Sequence, residues 1–209
     1  GTGVLFAVSK ARPYWNSGLF PVIFIVSAVV SGTALVMALY VLRTKLFTDQ
    51  DLDLDLLDRL AKLLAAFIVT DFALTAIDAL IALNSLHPTE VETWLTLLFG
   101  PMSWSFWGIM VGLGWVVPLV LVSRSEWRRT PWLMVLAGLS VVLGIIGVRF
   151  NIVVPPQILP VMHQLPHGSY FPSAVEWLTS IGMMAVGMLL YTLGAELLPL
   201  TPLESGDHQ

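Results

Sequence analysis

Five stretches of about 20 residues, 19–42, 60–83, 103–123, 132–150 and 174–197, are dominated by apolar side chains, and each is long enough to cross a ~30 Å hydrocarbon core as a helix. In lipid every backbone N–H and C=O must be satisfied inside the protein, which leaves helices or a closed barrel as the only spanning structures. A barrel strand alternates apolar and polar residues over about ten positions, and the continuous run Val22–Leu42 does not alternate. The sequence therefore predicts an all-α integral membrane protein, a single multi-helix transmembrane bundle over 1–209. The apolar stub Gly1–Ser9 reads as the tail of an earlier span and lacks the pattern of a signal peptide. Composition agrees: 11% of the 209 residues are charged, against roughly 25% in soluble domains.

Basic residues are divided unequally by the five spans. Arg43, Lys45, Arg59, Lys62, Arg124, Arg128 and Arg129 fall on one side, Lys10 and Arg12 on the other. The positive-inside rule makes the first group cytoplasmic, turns 1–18, 84–102 and 151–173 outward, and leaves the C-terminus inside. The two long outer segments, 84–102 and 151–173, are the expected docking surfaces, with His163 and Tyr170 as candidate contacts in the second. In the repeat Asp51–Leu57 acidic residues alternate with leucines, but the pattern runs into Leu60, Leu63, Leu64 and Phe67 at helical spacing. An acidic helix entry suits the helix dipole better than a strand does; a cation or partner site is the alternative.

The chain has no cysteine, which excludes disulfides, thiolate-held iron–sulfur clusters and cysteine nucleophiles from it. Its four histidines, His87, His163, His167 and His208, lie in predicted loops or the tail, so no pair clamps a haem between spans and no metal site is expected. The net charge of −4 gives no nucleic-acid footprint.

Against that background, four ionisable residues in or beside apolar runs stand out: Asp71, Asp78, Arg149 and Glu176. Such groups in a membrane pair, line a wet cavity or carry protons. Asp71, Thr75 and Asp78 share one face of the second span at different depths, two carboxylates with a hydroxyl between, so they form a candidate proton relay. Helix–helix hydrogen bonding or a small wet crevice accounts for the same residues. Arg149 closes the fourth span and Glu176 opens the fifth, so both are placed near the outer interface, where pairing is one reading. Snorkelling is another for Arg149. For Glu176 it is a capping box with Ser173. The segment Arg12-Pro13-Tyr14-Trp15-Asn16-Ser17 mixes a cation, aromatics and an amide, a suitable wall for a quinone head group or simply an interfacial anchor.

Three motifs occur in order along most of the chain: Ala11-Arg12-Pro13-Tyr14-Trp15-Asn16-Ser17 with Leu19, Pro21 and Ser31-Gly32; Arg149-x-Asn151-x-Val153-x-x-x-Gln157; and Tyr170-x-Pro172-Ser173-x-x-Glu176. Together they resemble the polysulfide-reductase membrane subunit (NrfD-like) family. The resemblance implies an eight-helix, quinone-reactive membrane subunit of a respiratory complex in the cytoplasmic membrane, of which this sequence matches the C-terminal five-helix portion. It implies non-covalent menaquinone or ubiquinone, an extracytoplasmic iron–sulfur subunit as partner, and often a molybdopterin or cytochrome subunit. It puts Trp15, Asn16 and Ser31 near the quinone pocket, and Arg149 and Glu176 in the second half of the bundle. The family's first helices, where much of that pocket is expected, have no counterpart in this sequence. A secondary transporter using the same acids and a purely structural anchor are the rival classes, although no internal repeat of the transporter kind is evident.

Overall fold

The computed structural model describes residues 2–10, 12–47, 51–160, 168, 170 and 172–197. Among them the chain is helical throughout and has no strand. The elements are α1 (Thr2–Ala7), a 3-10 turn at Pro13–Trp15, α2 (Phe20–Phe47), α3 (Leu54–Leu83), α4 (Pro88–Leu98), α5 (Trp104–Ser123), α6 (Ser125–Arg128), α7 (Pro131–Ile158) and α8 (Ala174–Leu197). Five of these, α2, α3, α5, α7 and α8, are long and apolar enough to cross a membrane. The chain forms two compact units, Gly1–Gly168 and Ser169–Gln209.

In the first unit α7 is central, packed against α2 on one flank and α5 on the other, while α3 packs on α2. Small residues set these approaches, because in lipid there is no water to expel and close van der Waals contact must hold the helices together. A Cβ on Gly138 would stand 2.7 Å from the carbonyl oxygen of Ala34 on α2. A Cβ on Gly144 would overlap the backbone of Gly114 on α5. Ala34 behaves as its small size suggests and is fully buried, whereas a Cβ on Gly32 would meet nothing within 4 Å among the described residues.

The first thirteen residues of α5, Trp104–Val116, wind as a π-helix, and only Val117–Ser123 are α-helical. Pro118 sits at the changeover, where its missing N–H already removes one helical bond. The wider winding determines which side chains α5 turns toward α3 and α7.

One end of this unit is covered by α4 and the 3-10 turn, which pack on each other; we call it the cap end. The opposite end carries the acidic run. Asp53 is the N-cap of α3, accepting from the N–H groups of Asp55 and Leu56, so the run is a helix entry. Its neighbours are used in pairing: Asp58 with Arg128 and Lys62, both at 2.6 Å, and Asp55 with Arg129 at 3.1 Å.

Three of the spanning helices, α2, α3 and α7, run past the bounds that hydropathy suggests, while α5 and α8 keep to them within a residue. The fourth continues from residue 150 to Ile158, because Arg149 and Asn151 are polar residues inside the helix and do not end it. Arg149 therefore lies nine residues, roughly 14 Å at the helical rise, from the end of α7. In the second unit, α8 opens with the capping box expected from the sequence. The Ser173 N–H donates to Glu176 Oε2 at 2.6 Å, and the Glu176 N–H to Ser173 Oγ at 3.3 Å. His163 lies outside the described residues.

Gly144→Leu should abolish the α5–α7 contact and cost more than the ~1–3 kcal/mol typical of overpacking, since backbone is in the way. Gly32→Ala should be neutral or stabilise by up to about 1 kcal/mol through helix propensity. Thermal unfolding in detergent, followed by size-exclusion fluorescence, distinguishes the two.

Candidate functional site

At the end of α7, Pro155 and Pro156 stand inside the helix, so the carbonyls of Asn151 and Ile152 lose their i+4 donors. A carbonyl in that position needs another partner. The Trp15 indole N–H donates to the Ile152 oxygen at 2.8 Å, and Arg12 donates to the Leu159 oxygen at 2.9 Å, capping the helix end with a cation. Trp15 and Arg12 thus lock the segment 12–15 onto α7. The Trp15 N–H is committed to this bond, so the residue offers a ligand only its ring.

The same lock seats Tyr14 and Ser17 over the acid of α3. The Ser17 hydroxyl donates to Asp78 Oδ1 at 2.8 Å. Asp78, Thr75, Tyr14, Trp94 and Asn151 line a small cavity of about 30 Å³, together with apolar side chains including Phe106 and Met110. Tyr14 and Trp94 are both buried, their rings 6.1 Å apart. Burial first, then the negative charges of Asp78 and Glu90, hold the Tyr14 phenol well above its ordinary range, so it stays protonated. On the far wall Asn151 accepts from the Ser105 hydroxyl at 2.7 Å and directs its amide at the Met110 sulfur, 3.6 Å away. The indole N–H of Trp94 is buried and has no hydrogen-bond partner among the described residues.

Asp71 is held separately. It is 1% exposed, and its Oδ2 accepts from the Trp115 indole at 3.1 Å. Arg149 donates to Ser27 Oγ at 2.9 Å and lies 3.9 Å over the ring of Phe24, a cation–π contact. Asp71 Oδ1 and Arg149 Nη1 are both buried without a hydrogen-bond partner among the described residues, and the two opposite charges act on each other electrostatically. Asp71 and Asp78 are about 10 Å apart along the axis by the helical rise; Thr75 lies between them and faces the Asp78 cavity.

Two grooves meet at Thr2 of α1. One, of about 300 Å³, is walled by Pro21, Phe24, Ile25, Ala28 and Arg149; the other, of about 280 Å³, by Leu5, Phe6, Ser9 and Trp15. Phe6 links them, its ring 5.3 Å from Trp15 and 5.7 Å from Phe24. Ser31 lines neither groove; its hydroxyl donates to the Ala28 carbonyl one turn below, and Asn16 is exposed. Glu176 is engaged with Ser173 in the second unit. Trp94, Trp115, Ser27 and Ser105 have no signal in the sequence that separates them from packing residues. Ser17 has one, as the last residue of the first motif.

The bundle's apolar helices hold two buried carboxylates and a half-buried guanidinium, and among the described residues no group of side chains could hold a metal ion. The family model for polysulphide reductase, NrfD, matches residues 1–161, and the chain belongs to that family. It is 38% identical over its whole length to a selenate reductase subunit of Mesobacillus selenatarsenatis, covering 50% of that protein. It is 30% identical, over 97% of its length, to the Hdr-like menaquinol oxidoreductase integral membrane subunit of Archaeoglobus fulgidus, covering 54% of it. The chain spans about half the length of the curated relatives it matches.

Trp15→Phe should strand the Ile152 carbonyl and destabilise by about 1–3 kcal/mol. Adding Pro156→Ala restores a helical donor to that carbonyl, so the double variant should recover most of the loss. Denaturation of the two singles and the double gives the coupling directly.

Proposed function

We propose that this chain is the quinone-reactive portion of a membrane subunit in a respiratory oxidoreductase, exchanging electrons between membrane quinone and an iron–sulfur subunit at the cap end, which the charge bias makes the outer face. The relatives support this reading through the names they carry, a selenate reductase subunit and a menaquinol oxidoreductase subunit. The observation that carries it is the groove beside α1, where the half-buried Arg149 guanidinium lies against an aromatic ring at the edge of an apolar trough.

The groove fits a quinone head group. At about 300 Å³ it is within the usual range for small-ligand sites, and it opens past Val4 and Ile25, both exposed, as a ligand arriving sideways from lipid needs. Phe24 supplies a flat wall and Arg149 hydrogen-bond donors for a carbonyl oxygen. Bound there, quinone supplies the two-electron, two-proton chemistry that this chain's own side chains lack. Arg149 orients the head group, Ser27 and Phe24 hold Arg149, and Asp71 balances its charge. Protons are carried by Asp71, Thr75 and Asp78, with Asp78 next to the cap end.

If this is right, Arg149→Met in the assembled complex raises KM for quinol at least tenfold while the complex still assembles, and a photoreactive quinone analogue stops labelling α1 and α2. Unchanged KM and labelling would remove Arg149 from the site.

Asp78→Asn should reduce quinol-linked proton release at least fivefold with Asp71 intact, and Asp71→Asn should do the same with Asp78 intact. Proton release from proteoliposomes, measured with a pH dye alongside electron transfer, tests each. Full coupling in both variants would exclude the relay.

A further inference from the structure

The cavity under α4 has properties that the quinone groove does not share. It is small, at about 30 Å³, and its largely apolar lining includes the polar residues Tyr14, Thr75, Asp78, Trp94 and Asn151. One or two water molecules fit such a volume, provided each finds two to four polar partners. The partners are there. The Trp94 indole N–H is a buried donor with no partner among the described residues. Asp78 gives Oδ1 to Ser17 and keeps Oδ2. Tyr14 and Thr75, which each carry a hydroxyl, line the same space. An indole N–H left without a partner in an apolar interior costs about 1–3 kcal/mol, so a water between Trp94 and Asp78 is the arrangement that removes the cost.

We infer that this cavity is a hydration site: one or two internal waters accept from Trp94 Nε1 and donate to Asp78, with Tyr14 and Thr75 completing their bonds. Asp78 then exchanges its proton with internal water and through it with the cap end, where the half-buried Glu90 is the carboxylate whose charge acts on both Asp78 and Tyr14. This rests on the reading of Asp78 as a proton-carrying group. It assigns Trp94 and Tyr14, which touch no quinone groove, as the residues that position the water.

X-ray radiolytic labelling of the intact complex in nanodiscs tests it, because hydroxyl radicals born from a bound internal water modify side chains that bulk radicals cannot reach. Tyr14, Trp94 and Met110 are 6%, 3% and 4% exposed and line the cavity, while Met37 and Met134 are fully buried outside it. The cavity residues should be labelled at least tenfold faster than the two controls. Trp94→Phe, which keeps the ring but removes the donor, should lower Met110 labelling several-fold; simple loosening of the packing would raise it. Asp78→Asn provides a second variant should Trp94→Phe fail to fold, with Trp94 labelling as its readout and a several-fold fall expected. Labelling no faster than the controls, or unaffected by the variant, overturns the hydration site. Quinol turnover measured on the same sample separates the two readings: a labelled cavity without turnover upholds the site and removes the quinone assignment, and turnover with an unlabelled cavity does the reverse.

Discussion

Two consecutive prolines near the end of α7 determine much of what the cap end looks like. A proline inside a helix removes a donor, and two together leave two carbonyls bare in a medium that cannot hydrate them. The chain answers one of them with Trp15, whose indole takes the place of the missing N–H at Ile152, and Arg12 separately caps the helix end at the Leu159 carbonyl. Once both are in place, the short segment from residue 12 to residue 17 has little freedom. Tyr14 is pressed against Trp94, and Ser17 arrives at Asp78. A backbone defect in one helix thus orders a loop more than 130 positions earlier in the chain, and that loop closes the cavity over an acid on a third helix.

The middle of the bundle follows a different rule. There the helices approach through glycine, with Gly114 against Gly144, and the π-winding of α5 fixes the direction of its polar contacts. Ser105, early in that winding, faces Asn151, and Trp115, at its end, faces Asp71. Both bonds join α5 to helices it would otherwise meet only through apolar contact. In lipid such bonds add modestly to stability, on the order of 0.6 kcal/mol each, so their larger effect is to fix which residues meet.

The class and the span count are legible in the apolar runs alone, because the bilayer imposes a length that few other environments do. The N-cap at Asp53 and the Ser173–Glu176 box are legible too, since capping depends on residues only two or three positions apart. The end of the fourth span is not. Arg149 and Asn151 look like a boundary, and only their partners on other helices, Ser27 and Ser105, show why a polar residue can remain inside. The motif around Trp15 points to a ligand, but half of that residue's chemistry is spent on Ile152. Trp94 and Trp115 give no signal, because a tryptophan in an apolar run is indistinguishable from packing until its N–H is located.

The two acids of α3 therefore differ in a way that spacing conceals. Trp115 holds Asp71 with an indole N–H, a group that only donates and cannot pass a proton on. Ser17 holds Asp78 with a hydroxyl, which donates and accepts and can turn, and the cavity beside it is lined by two further hydroxyl-bearing residues, Tyr14 and Thr75. Asp71 has the half-buried Arg149 guanidinium to balance; Asp78 has none among its described partners and faces space that water fits. In the proposed reading the work divides accordingly. Asp71 stabilises the charge of Arg149 and meets protons only when that pairing changes, while Asp78 is placed for repeated exchange. Thr75, facing the cavity of the second acid, is the step that joins them.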